Sequence, residues 1–206
     1  TLGPSGSVRG NVLLGIVTKG DMVNNGGWHG STAVVANNSL HNYGTIYAGG
    51  DGATGGLYID GSLKHDEGGE IHVDVDPFAG EPTHDVITVT GLARIQGEIV
   101  PQTQSLLPGS YTFLTAGTLE YSGSVRDAHV FSWDATVNGN TVAKTPTANF
   151  APDGYGLTGN QTSLAGYMQR SWDASTADHA PLFGYLHEHG LGEHAAYQAT
   201  LNELMG

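Results

Sequence analysis

Apolar and polar positions alternate with a period of two through most of the stretch from Leu57 to Leu114. The runs are Leu57-Tyr-Ile-Asp-Gly-Ser-Leu63, Glu70-Ile-His-Val-Asp-Val75, Asp85 through Val100, and Pro108-Gly-Ser-Tyr-Thr-Phe-Leu114. A period of two places one set of side chains on a buried face and the other in water, as in a strand. Gly and Asp between the runs supply turns. The pattern predicts short strands repeated along the chain. Within the third run Gly91 is expected to be a bend, where the alternation resets its phase, with Val89 and Ile95 pointing into the core on either side.

A weak internal repeat sharpens this reading. Val34-Val-Ala-Asn-Asn-Ser-Leu40 and Gly44-Thr-Ile46 align with Leu57-Tyr-Ile-Asp-Gly-Ser-Leu63 and Gly69-Glu-Ile71. Upstream, Asp21-Met-Val-Asn-Asn-Gly26 aligns with Ser39-Leu-His-Asn-Tyr-Gly44. Spacings of 18 and then 23 to 25 residues suit the coils of a solenoid with turns of variable length. Asn24, Asn25, Asn37, Asn38 and Asn42 fall where the chain must turn; Asn tolerates left-handed backbone and can bond between stacked coils.

Residues 74–85 read as an insertion, because Pro77 and Pro82 bar a central strand. Strands are expected again at 86–90, 92–100, 111–115 and about 129–137. Val137-Asn-Gly-Asn-Thr-Val142 carries the Asn-Gly of a two-residue hairpin. After Pro152 the period changes to that of a helix. Thr158 and Gln161 have capping-box spacing, followed by Leu164, Tyr167, Met168, Ser171 and Trp172 on one face. Further helices are expected from about Asp178 to His189, stopping at Gly190, and from about Glu193 with Tyr197, Leu201 and Leu204 on one stripe. The expected fold is all-β, a parallel β-helix with a β-sandwich or hairpin cap, then short C-terminal α-helices. Its divisions are 1–85 for the coils, 86–152 for the cap and 153–206 for a helical linker.

Composition narrows the function classes. Seven Lys and Arg against twenty Asp and Glu leave a net charge of −13. The basic residues are scattered singly, so no patch exists to displace counterions from nucleic acid, and anionic membrane surfaces would repel the chain. No apolar run reaches membrane-spanning length. Cysteine is absent, which excludes disulfides and thiolate chemistry and suits a chain that crosses an oxidising compartment unfolded. Thr1 to Ser7 lack the features of a signal peptide, so any export signal is expected upstream.

Candidate chemistry is sparse. Asp74 and Asp76 lie two apart, on one face of a strand, with Asp66, Glu67 and Glu70 nearby; glycan-cleaving enzymes use paired carboxylates. The competing reading places these acids in solvent. Asp74, Asp76, Glu81 and Asp85 supply oxygen ligands of the kind calcium takes, but in no EF-hand or nonapeptide pattern. His187, His189 and His194 invite a zinc reading, yet residues two apart on a helix diverge, and surface histidines are the expectation. Exposed Trp28 with Tyr43, Tyr47 or Tyr58 could stack on sugars; the alternative is that they fill the ends and turns of the solenoid. No catalytic, cofactor-binding or metal-binding residue is assigned from these patterns.

Three motifs carry a resemblance. Asp85-Val-Ile-Thr-Val-Thr-Gly-Leu-Ala-Arg-Ile-Gln-Gly97, then Pro108-Gly-Ser-Tyr-Thr-Phe-Leu-Thr-Ala116, then Leu157-Thr-Gly-Asn-Gln161 through Leu204, resemble the C-terminal passenger of bacterial autotransporters, the pertactin-like part. The resemblance covers roughly residues 55–206 and, more weakly, residues 1–54. It implies a right-handed parallel β-helix ending in an autochaperone region that seeds folding during type V secretion. It also implies a non-enzymatic role, a place on the bacterial cell surface and a C-terminal translocator barrel downstream as partner. Host-cell or matrix ligands would belong to the whole, adhesin-type passenger, with no nucleic acid and no insertion of this segment into a membrane. The alternatives are a secreted β-helix enzyme acting on polysaccharide and a structural β-solenoid of a phage or surface layer.

Overall fold

The computed structural model describes residues 7–8, 21–189 and 194–206, the side chains at 7–8, 32–37 and 194 excepted. The strands are β1 (Ser7–Val8), β2 (Met22–Asn24), β3 (Gly27–Gly30), β4 (Thr32–Asn42), β5 (Thr45–Ala48), β6 (Gly56–His65), β7 (Glu70–Val75), β8 (Val86–Ile95), β9 (Glu98–Thr103), β10 (Tyr111–Tyr121), β11 (Ser124–Val125), β12 (Phe131–Asn138) and β13 (Thr141–Ala148). Helices α1 (Gly159–Asp173), α2 (Ala180–His189) and α3 (His194–Met205) follow, with a single 3₁₀ turn at Ala177–His179.

Two sheets form a parallel β-solenoid. One runs β1-β3-β5-β7-β9-β11; the other runs β2-β4-β6-β8-β10 and then closes with β13 and β12. Successive chain segments therefore alternate between sheets and stack on their own predecessors. The repeat holds in register: Met22 pairs with Leu40 and Asn24 with Asn42, and Thr45 and Ile46 with Glu70 and Ile71. The alignment of Val34 with Leu57 does not hold. Val34 pairs with Asp60, and the register slips between Val34 and Ser39 before Ser39 meets Ser62, so β4 takes up extra residues as an irregularity.

Ile46, Ile71 and Ile99 from one sheet face Leu40, Leu57, Ile59, Leu63, Ile87, Val89, Ala93 and Ile95 from the other in one continuous core. The buried positions of β8 share one parity through Gly91, so the phase does not reset there. Gly91 nonetheless sits at a tight corner: a Cβ would lie 2.7 Å from Gly61 O. A second corner is a column of glycines. Added Cβ atoms at Gly44, Gly69, Gly97 and Gly123 would lie 2.3–2.7 Å from backbone oxygens of the coil below. Only glycine permits that approach.

A buried polar ladder lines this corner. Asn24 Nδ2 donates to Asn42 Oδ1 at 2.7 Å, and Asn42 Nδ2 to His65 Nδ1 at 3.0 Å. Each rung also donates to a carbonyl of the next turn: Asn24 to Thr45 O, Asn42 to Glu70 O and His65 Nε2 to Glu98 O. His65 thus carries its proton on Nε2. Burial holds its pKa below the ordinary histidine value.

The cap is a hairpin on the edge of the solenoid sheet, β13 pairing antiparallel with β10 and β12 with β13. Its two-residue turn is Gly139-Asn140, since Asn138 pairs with Thr141. This is one residue beyond the Asn-Gly expected from sequence: Gly139, at φ +57°, takes the first central position. The helices behave largely as their periodicity predicts. Thr158 and Gln161 form a reciprocal capping box. Met168 and Trp172 are buried, but Tyr167 and Leu204 are largely exposed and do not join the packed faces. Gly190 and the expected coil before Asp21 lie outside the described residues apart from β1.

Candidate functional site

The end of β9 is an edge that the cap hairpin leaves uncovered, and α2 fills it. Pro101 removes one edge donor from β9. The next, Thr103 N–H, donates to Glu188 Oε1 at 2.5 Å, and Thr103 Oγ1 donates to Gly184 O at 3.1 Å. Gly184 is required here, because a Cβ would meet Gln104 O at 2.6 Å. On its other side α2 presents His187 to the cap: Trp133 Nε1–H donates to His187 Nε2 at 3.0 Å, while His187 Nδ1 lies 3.4 Å from Glu188 Oε1. Solenoid, helix and cap meet at these four side chains.

Beside this junction a cleft of about 170 Å³ opens between the outward loop after β5, the end of β7 and α2. Asp51, Asp74, Gln102, Thr103, Gln104 and Glu188 line it. Asp74 is 4% exposed and its Oδ2 accepts from Gly52 N–H and Ala53 N–H. Behind it Asp85, fully buried, accepts from Asp74 N–H at 2.8 Å and Gly55 N–H at 2.6 Å. Burial pushes Asp74 up to about 6 and Asp85 up to about 7, the neighbouring acids adding to both shifts. Burial also opposes the charge on Glu188, but hydrogen bonds from His187 and Thr103 outweigh it and hold that carboxyl below its ordinary range. The cleft is therefore lined by one carboxyl whose protonated form burial favours and one that stays ionised. Its volume admits one small polar group or a few waters.

Asp74 corrects the expectation of solvated acids: the turn of the outward loop donates two N–H groups to it and draws it inward. Asp76 does not join it, bonding instead to the Phe78 N–H of the following loop. Glu81 is exposed and Asp66 and Glu67 lie elsewhere. Among the described residues no group of three or more His, Asp or Glu is arranged to hold a metal ion, so Asp74, Asp76, Glu81 and Asp85 do not form a calcium cage. His187 is buried at 1% exposure rather than on the surface, because the indole of Trp133 gives it a partner. His189 is exposed and bonds Tyr185 O within its own helix; the side chain of His194 lies outside the described residues.

The aromatic stripe is also rearranged. Trp28, expected exposed, is a core residue at 2% exposure, while Tyr43 and Tyr58 are outward but separate. Tyr47 instead stacks on His29, 4.0 Å away with the rings nearly parallel, and on the other neighbouring coil meets the tilted ring of His72 at 4.6 Å. Above this ladder Arg126 bridges Glu70 and Glu98 across three coils. In the cap, Lys144 is buried with Nζ donating to Tyr121 OH at 2.8 Å, and burial lowers it to about 8. Sequence reasoning missed Glu188, Gln102 and Lys144, since nothing local marks them. No protein-family model, curated protein or solved structure matches the chain.

Proposed function

We propose that this chain is the closing, non-catalytic segment of an autotransporter passenger, which caps a parallel β-solenoid and seeds its folding at the cell surface. A solenoid needs its last rung protected, because an open end leaves unpaired strand edges and bare core. The observation that carries the reading is the double closure: the β12–β13 hairpin covers the end of one sheet and α2 the edge of the other. The acidic surface and the absence of cysteine agree with a segment that crosses a pore unfolded and does not bind polyanions. Partners follow from the same reading, a downstream translocator barrel and host-facing ligands of the whole passenger. The test is to express the complete reading frame in a Gram-negative host and treat intact cells with protease. Surface release of this segment, with about twelve alternating strand-length segments encoded downstream, supports the reading. Retention inside the cell, or a frame without such segments, contradicts it.

The polysaccharide-enzyme reading is favoured by one feature, the Asp74–Glu188 cleft with its split carboxyls. Turnover of a polysaccharide that vanishes in Asp74→Asn would establish it in place of the first.

A further inference from the structure

His187 can accept the Trp133 indole N–H only through an unprotonated Nε2, because indole nitrogen is a donor and never an acceptor. Its remaining proton is therefore on Nδ1, toward Glu188. We propose that His187 is a proton-operated coupling between the cap hairpin and α2: a second proton on the ring breaks the bond to Trp133, while Glu188 keeps the helix on the solenoid. The imidazolium would set one N–H against another, leaving both donors buried without an acceptor between them. On the opposite side the same proton turns the Nδ1 contact into a charge-assisted one. Glu188 continues to accept from Thr103, and Thr103 Oγ1 continues to donate to Gly184 O.

The surroundings make the exchange one-sided. From β12 the ring meets Phe131 at 5.8 Å and Trp133 at 5.8 Å, neither ionisable. From β9, Thr103 reaches the same helix at Glu188 and Gly184 and is also neutral. Its charged neighbour is Glu188 on α2 itself, with Asp74 and Asp51 beyond it across the cleft. Glu188, held to the solenoid through Thr103, attracts an imidazolium, with Asp51 beyond it across the cleft, while Asp74 loses its pull as it takes up its own proton near pH 6. Acidification thus loosens the cap from the helices before it loosens the helices from the coils.

The test is NMR of the whole chain between pH 8 and pH 5, reading the Trp133 indole N–H (assigned with Trp133→Phe) and the Thr103 amide. The expected result is a titrating indole resonance whose protection, relative to the intrinsic exchange rate at each pH, falls at least about tenfold at low pH, the loss of about one buried hydrogen bond, while the Thr103 amide stays protected. In His187→Gln the side-chain oxygen still accepts from the indole but cannot titrate, so the response disappears. In Glu188→Gln the response remains, because the acceptor for the indole is still the His187 ring. The proposal is overturned by an indole that does not respond in the native chain, by an unchanged response in His187→Gln, or by loss of Thr103 protection in the same step. Should His187→Gln fail to fold, the native chain and Glu188→Gln still decide the matter.

Discussion

Replacing Val89 with Asp should unfold the chain at neutral pH. Val89 is 1% exposed, registered between Ile59 below and Ala116 above, in the middle of the apolar core. Losing the burial of a valine side chain costs about 2 kcal/mol. A buried carboxylate without a partner adds roughly 3–5 kcal/mol. The sum, about 5–7 kcal/mol, is comparable with the whole stability of an ordinary domain. With a urea dependence of about 2 kcal/mol per molar, the midpoint should fall by about 3 M. Such a carboxyl prefers its proton in the fold, so its penalty is smallest below about pH 4 and grows as pH rises through the range where the unfolded chain ionises. Two neighbours serve as controls. Thr88 points the other way, and Thr88→Asp should cost under about 1 kcal/mol. Thr90→Asp should be intermediate, because Thr90 Oγ1 accepts from Gly61 N–H and donates to Asp60; a carboxylate can still accept but cannot donate, so the variant loses the bond to Asp60 and sets two like charges against each other. Urea unfolding followed by tryptophan fluorescence at pH 4 and pH 7 measures all three. The facing of β8 is refuted if Thr88→Asp proves as damaging as Val89→Asp.

Further outcomes follow from the corners and caps. Gly97→Ala should destabilise by about 3 kcal/mol or more, since its Cβ would lie within 2.6 Å of Asp66 O, Gly69 O and His65 Nε2, while Gly109→Ala, with nothing nearer than 3.9 Å, should be silent or slightly stabilising; paired thermal melts decide. Thr158→Ala removes one half of the capping box and should cost about 1 kcal/mol, read from urea midpoints. His65, whose pKa is lowered in the fold, contributes stability above about pH 6.5 that is lost as pH falls. His65→Asn should therefore flatten the acid limb of a stability–pH curve and keep the fold, because Asn24 and Asn42 already make the equivalent bonds. Asp74 and Asp85 work in the opposite sense: raised to about 6 and about 7, they contribute stability that is full below about pH 4 and lost as pH rises through those values.

Coils, corners and helices were legible because each leaves a local periodic mark. Asn24, Asn42 and the paired Gly44-Thr-Ile46 and Gly69-Glu-Ile71 recur at coil spacing, and Thr158 with Gln161 announces α1 within four residues. The slip in β4 was not legible, because residues inserted into one coil leave the flanking motifs intact while shifting what lies between them. The hairpin turn moved by one residue because pairing between Asn138 and Thr141, not the Asn-Gly dipeptide, sets the register. The cleft was hidden for a different reason. Asp74, Gln102 and Glu188 come from β7, β9 and α2, and only the docking of α2 on the β9 edge brings them together. Burial of Trp28, His187 and Lys144 likewise depends on partners distant in sequence, which no window of the chain reveals.

Whether this segment is a folding seed is tested most directly by pulse-labelled hydrogen exchange during refolding of the chain from urea. A seed must form its own structure before the coils that build on it. Amides of β8, β10 and the β12–β13 hairpin should then gain protection first, and those of β3, β5 and β7 only afterwards. Protection that arises first in β3, β5 and β7, with β8, β10 and the hairpin following, would show that the hairpin merely closes a solenoid already formed.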